Sequence, residues 1–156
     1  MPIKPTYNKQ AIDRKVEELA ARQRAAIVER LKAIGEQCVN EARNLPSLSR
    51  DNPAALKPHQ PNYIDDTGNL RSSIGYLLLA DGRAEKEYFP GRGEGADRGK
   101  ELAAKVAAAH PSGFVLVVVA GMEYAKYVSD KGYDVLDTAR LTAERLLRNL
   151  MAKMRK

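Results

Sequence analysis

The sequence predicts an α+β fold: a small, mostly antiparallel sheet of about three or four strands, packed by a long N-terminal helix and an amphipathic C-terminal helix. Three observations carry that expectation. Phe114-Val115-Leu116-Val117-Val118-Val119-Ala120 is an unbroken apolar run, rich in β-branched residues and closed by Gly113 and Gly121, the length and composition of a strand buried on both faces. Ile74 to Ala80 is a second apolar run, followed by Asp81-Gly82, a dipeptide favoured in tight hairpins. At either end of the chain, apolar residues recur every three or four positions, the period of an amphipathic helix.

Residues 8–43 read as one helix. Asn8 is a side-chain N-cap, and Ile12, Val16, Leu19, Ile27, Leu31, Ile34, Cys38 and Ala42 form its stripe. Gln23 interrupts the stripe and Gly35 weakens the helix by up to about 1 kcal/mol, so these are the two places where it could bend. At 1.5 Å per residue the helix is about 50 Å long, longer than the core of a domain this size, and part of it is free to pack on another subunit. Cys38 lies on the stripe as a core residue.

Residues 45–65 break the pattern with Pro46, Pro53, Pro58 and Pro61. The reading is a long loop carrying a solvated His59, with an arm that orders on a neighbouring molecule as the sharper alternative. Residues 66–130 hold the sheet. Asp66 or Thr67 caps a single helical turn that tucks Leu70 beneath it and projects Arg71 outward. Arg83 to Phe89, with Glu85, Lys86 and Glu87, is a charged and therefore protected edge strand. Pro90 to Ala96 is a loop, and 97–110 a helical insertion with Leu102, Val106 and Ala109 on its apolar side. Glu123 to Asp130 is a short helix, and Gly132 suits a left-handed cap. Residues 135–156 form the last helix, whose stripe Leu136, Ala139, Ala143, Leu146, Leu147, Leu150 and Met154 is the expected cover for the second face of the sheet. The whole, 1–156, reads as one domain.

Several classes fall away on composition and spacing. At 44% hydrophobic and 29% charged residues the chain is an ordinary globular composition, with no apolar run near the ~20 residues of a membrane span. Met1-Pro2-Ile3-Lys4-Pro5 lacks the apolar core of a signal peptide, which points to the cytoplasm. Two histidines and one cysteine are too few for a usual zinc site and assemble no nucleophilic triad. Asp65 and Asp66 can hold a cation, but acids before a helix are ordinarily caps. Glu94 stands where a phosphate loop ending at Gly99-Lys100 needs its first glycine, and Glu101 where it needs Ser or Thr. The expectation is a protein with no catalytic set, no cofactor and no metal.

The net charge of +6 is concentrated. Arg140, Arg145, Arg148, Lys153, Arg155 and Lys156 face the single acid Glu144 in the last nineteen residues. A basic final turn complements the helix dipole. The same charge leaves open a small nucleic-acid-binding protein that uses this helix.

Two segments resemble a known family. Thr67-Gly68-Asn69-Leu70-Arg71-Ser72-Ser73-Ile74, and further on Tyr124-Ala125-Lys126-Tyr127-Val128 with Gly132, resemble elements of the tail-completion (head–tail joining, or neck) proteins of long-tailed double-stranded DNA bacteriophages. The flanking long N-terminal helix and C-terminal helix are similar to that family too. Ser129 and Gly132-Tyr133 depart from the family's acid and Gly-Thr pair. The resemblance implies a non-enzymatic virion protein of a phage or prophage, assembled in the bacterial host cytoplasm and resident in the neck. It implies a homo-oligomeric ring between head connector and tail tube, built from a chain that can be a monomer when isolated. Its partners are further copies of itself, head-connector and tail-tube proteins, and non-specifically the DNA in the channel; no membrane is involved. On this reading Thr67, Gly68, Asn69, Leu70, Ile74, Ala125, Val128 and Gly132 form the motif core. Arg71, Tyr124, Lys126 and Tyr127 are the expected oligomer contacts, ordinary core packing being the alternative for the tyrosines. Arg148, Lys153, Arg155 and Lys156 are the expected DNA-facing set. Tyr124 to Val128 is then a contact surface hung on a central strand, Phe114–Ala120.

Overall fold

The computed structural model describes residues 8–44, 63, 65 and 67–154. The elements run α1 (Lys9–Arg43), α2 (Asn69–Ser72), β1 (Ile74–Ala80), β2 (Arg83–Tyr88), α3 (Gly93–Ala107), β3 (Phe114–Ala120), α4 (Ala125–Asp130) and α5 (Asp137–Met154). This is the expected α+β architecture. The strands form one antiparallel sheet in the order β2-β1-β3. The expected Pro-rich loop with His59, the arm hypothesis, Asp66, and the basic residues Arg155 and Lys156 lie outside the described residues.

One correction concerns the sheet itself. The central strand is β1, every residue of which is buried, whereas β3 is an edge strand. Both runs are apolar, and composition alone does not say which one is flanked on both sides. The register decides it. Asp81 N–H donates to Gly113 O at 2.8 Å and Gly121 N–H to Ser73 O at 3.3 Å. The odd-numbered residues of β3 therefore bond to β1, and the alternation of an antiparallel ladder turns the backbone groups of Phe114, Leu116, Val118 and Ala120 to the open edge. β2, at the other edge, is exposed and charged as expected, and its register slips between Leu78 and Leu79. A shift of this kind further discourages stray pairing.

Three layers result. On one face Leu77, Leu79, Val117 and Val119 pack against Ala103 and Ala107 of α3. On the other, Ile74, Tyr76, Leu78 and Ala80 pack against Val28, Leu31, Ile34, Cys38, Val39 and Ala42 of α1, with Ala139 and Leu150 of α5 joining the same cluster. α1 remains one helix through Gln23 and Gly35. Gly35 serves close packing: a Cβ there would sit 2.9 Å from the Tyr76 ring. Burial pushes the Cys38 thiol up, as fits a core residue. The expected role of α5 needs refining, because it packs mainly alongside α1. Leu116 and Val118 consequently stay only half-buried.

α3 also departs from expectation. It starts at Gly93, so the glycine run Gly93-Glu94-Gly95-Ala96 is its first turn and not a loop. Its buried side is Ala96, Gly99, Ala103 and Ala107, while Val106 is 39% exposed. The expected apolar side was Leu102, Val106 and Ala109; instead the small residues set how closely the helix approaches α2 and β1. A Cβ on Gly95 would meet Asn69 O at 2.3 Å, and one on Gly99 would meet Ser73 O at 2.4 Å.

The hairpin turn is as expected, with Asp81 at φ 51° and Gly82 at φ 75°. Asp81 also holds the turn to its neighbours: it accepts from Arg24 at 2.6 Å and from Gly113 N–H at 2.9 Å. The Arg24 hydrogen bond, then the Gly113 one, hold its carboxyl below the usual range. A depressed folded-state pKa gives stability that is present above the unfolded value and lost as pH falls through the folded one. The stability difference between wild type and Asp81→Asn is therefore expected to be small, to exist at neutral pH, and to vanish on acidification. Urea titrations at several pH values would show it; a difference that persists at low pH would count against this account.

Candidate assembly surface

The motif around Leu70 is built by caps and one buried side chain. Asp65 accepts from Leu70 N–H at 3.3 Å and from Arg71 N–H at 3.1 Å, and Thr67 Oγ1 accepts from Asn69 N–H at 3.3 Å. Thr67 thus supplies a capping bond, although the N-cap position itself is taken by Gly68 at φ 70°. Asp65, adjacent to the expected Asp66, does most of the capping, and one carboxylate satisfies two of the orphan donors of a helix start. Leu70 and Ile74 are fully buried. Leu70 sits with Tyr63, Ala125 and Val135 in a cluster that joins α2 to α4. Ser73 Oγ donates to Leu70 O at 2.7 Å and accepts from Gly121 N–H at 3.0 Å, stitching the turn to the end of β3.

Arg71 corrects the sequence reading. Its side chain is half-buried and not projecting. The Arg71 Nε–H donates to Arg43 O, and Arg43 Nη1 donates to Arg71 O at 2.5 Å. This reciprocal pair ties the last turn of α1 to α2. Burial, and then the like charge of Arg71, lower the Arg43 pKa. Burial raises that of the neighbouring Tyr63 phenol. Arg71 is therefore committed inside its own chain, and the residue that matches it, Arg43, carried no motif that sequence could flag.

The second motif behaves differently. Ala125 is buried and Val128 half-buried, so α4 is anchored through them, and the tyrosines turn outward: Tyr124 is 40% and Tyr127 64% exposed. Lys126 lies 3.9 Å from Asp130, and Lys131 stacks over the Tyr127 ring at 5.2 Å. Gly132 has φ 87°, the expected left-handed cap. Asp134, unremarked in the sequence, accepts from Thr138 N–H at 3.2 Å and from the Thr138 hydroxyl, and starts α5.

Two further unpartnered apolar features accompany these tyrosines. All of α1 from Lys9 to Ala26 is exposed, including Ile12 at 48%, Val16 at 59% and Leu19 at 58%. Between β3 and α5 lies a groove of about 300 Å³ lined by Leu116, Val118, Leu136, Ala143 and Leu147, with Asp137 and Arg140 as its charged lining. Arg148 and Lys153 are exposed on α5, and Arg148 lies 4.0 Å from Glu144.

Among the described residues no three His, Cys, Asp or Glu side chains come together to hold a metal ion. The Tyr76 phenol is pushed up to about 12 by burial first and then by Glu36; its ring belongs to the core against α1. No helix among the described residues is long and apolar enough to cross a membrane. The chain matches no known family model, no curated protein and no solved structure.

Proposed function

We propose that the chain is a structural protein of a phage or prophage virion, of the tail-completion type, forming a ring between the head connector and the tail tube. The observation that carries this reading is the amount of ordered apolar surface left unpartnered. An exposed stripe on the overhanging half of α1, the tyrosines of α4 and the β3/α5 groove sit at separate places on one small fold. Contiguous or repeated exposed apolar features of this kind mark surfaces meant for association. They are carried by different elements, α1, α4 and the β3/α5 pair, and two dissimilar patches that meet between copies make a heterologous contact, which closes into a ring by rotation. The resemblance of Thr67–Ile74 and Tyr124–Val128 to the neck proteins supplies the particular assembly. Arg148 and Lys153 then belong to the surface offered to DNA in the channel.

Electron microscopy of the full chain mixed with the head-connector and tail-tube proteins encoded beside it would test this. Closed rings that incorporate this chain are expected. Flanking genes unrelated to portal, capsid or tail, together with no co-assembly, would refute it.

A further inference from the structure

We propose that the overhanging half of α1 seats in the β3/α5 groove of the next copy of the chain. This rests on the ring reading above and names its contact. The overhang spans residues 9–23, about 22 Å of helix, since Arg24 already bonds Asp81 and lies over the Phe114 ring of its own chain. A helix of that length is only marginally stable without tertiary packing, and it is apolar where it has no partner. Ile12, Val16 and Leu19 share one face, centred roughly 110° around the axis from the face that α1 buries in its own domain. The stripe is therefore no extension of its own core and requires cover from another direction.

The groove has the matching deficit. It is lined by half-buried Leu116, Val118, Leu136 and Leu147, and it runs beside the one sheet edge that carries no charge. β2 guards its edge with Arg83, Glu85, Lys86 and Glu87, whereas β3 offers seven apolar residues and open backbone groups. Covering such an edge with a helix is an established way of protecting it, and an amphipathic helix laid in a groove is a common mode of recognition. Charge agrees with the choice of a second copy. Lys15 and Arg22 flank one side of the stripe, Lys9 and Asp13 the other, and the basic side of Lys15 and Arg22 has its complement in the groove's one acid, Asp137, which lines it with one base, Arg140. The overhang is long enough to cross the sheet edge of a neighbour, since three strands span only about 15 Å.

The test uses the full chain at millimolar concentration, with Val16→p-benzoylphenylalanine as a photo-crosslinking probe and mass spectrometry to map the products. Crosslinks to 114–118 or 136–147 of a second copy are expected. Val16→Asp, at an exposed position that leaves the fold intact, is expected to weaken self-association at least tenfold by light scattering. Lys15→Asp and Asp137→Lys should each weaken it about threefold, and the double variant should restore it. Crosslinks to 9–27 of a second copy, no rescue by the charge swap, or a chain that stays monomeric would each overturn the contact. Rings on a head connector whose crosslinks fall elsewhere overturn this contact and leave the neck reading standing. Groove crosslinks in a chain that joins no phage component support the contact and remove that reading.

Discussion

Leu70→Ala is expected to destabilise the fold by about 3 kcal/mol, within the usual 2–5 for a fully buried leucine. The size of the effect depends on whether the site can collapse around the missing atoms, and here it cannot easily do so. Leu70 is fully buried on a four-residue helix. That helix is held from outside by both oxygens of Asp65, by the Arg43–Arg71 pair and by Ser73. Those bonds fix the backbone, so the cavity stays open. Asp65→Ala removes the two cap bonds alone and is expected to cost about 1–2 kcal/mol. The two changes touch one turn and will not add. Urea unfolding should show a lower midpoint at unchanged slope. A loss under about 1 kcal/mol for Leu70→Ala would mean that the turn relaxes and that its caps do not pin it. Because Leu70 packs with Ala125, the same change should loosen α4 and with it the placement of Tyr124 and Tyr127.

The parts of the fold that sequence made legible are those governed by local rules. Asn8 accepts from Ala11 N–H at 3.3 Å as the cap it was read to be. The Asp81-Gly82 turn, the charged edge strand and the cap at Gly132 follow from backbone preferences that each residue carries with it. The outcomes that were not legible depend on what lies beside a segment in space. Phe114–Ala120 and Ile74–Ala80 are equally apolar, and only the pairing register places one at the edge. The capped turn puts Leu70 inward and Arg71 on the opposite side, and nothing local shows that the Arg43 carbonyl, 28 positions away, comes to meet it there. The glycines of α3 read as loop because glycine lowers helix propensity by about 1 kcal/mol, and that local cost is outweighed by close packing against α2 and β1.

The surface follows the same division. Helical spacing puts Ile12, Val16 and Leu19 on one face and helix length says that some of α1 outruns the core, but neither says that the N-terminal part is the one left over. Likewise Tyr124 and Tyr127 were readable as a pair three residues apart, with core and interface equally open. The folded chain exposes both and buries Ala125 between them, so their rings contribute little to their own core. Amphipathic rings held on an anchored helix are well suited to the desolvated centre of an interface, which is the use that the ring reading makes of them.

Gly99→Ala should be the sharpest test of how α3 is packed, because local and tertiary effects pull in opposite directions there. On propensity alone the substitution favours the helix by about 1 kcal/mol. Against that, the new Cβ would lie 2.4 Å from Ser73 O and 2.7 Å from the Phe89 ring. The first of these is a backbone atom and cannot swing aside. Gly121 closes the other side, its own Cβ position being 2.4 Å from Gly99 Cα. Relief requires α3 to move off the sheet, which separates Ala103 and Ala107 from Leu77, Val117 and Val119. The net expectation is a loss of about 3 kcal/mol, at the upper end of what overpacking costs. Gly35→Ala, whose Cβ meets only the Tyr76 ring at 2.9 Å, should cost clearly less. Measured by denaturant midpoints, a Gly99→Ala protein as stable as wild type would show that α3 does not sit against Ser73. The ordering Gly99 above Gly35 would show that backbone proximity, more than side-chain crowding, fixes the position of this layer.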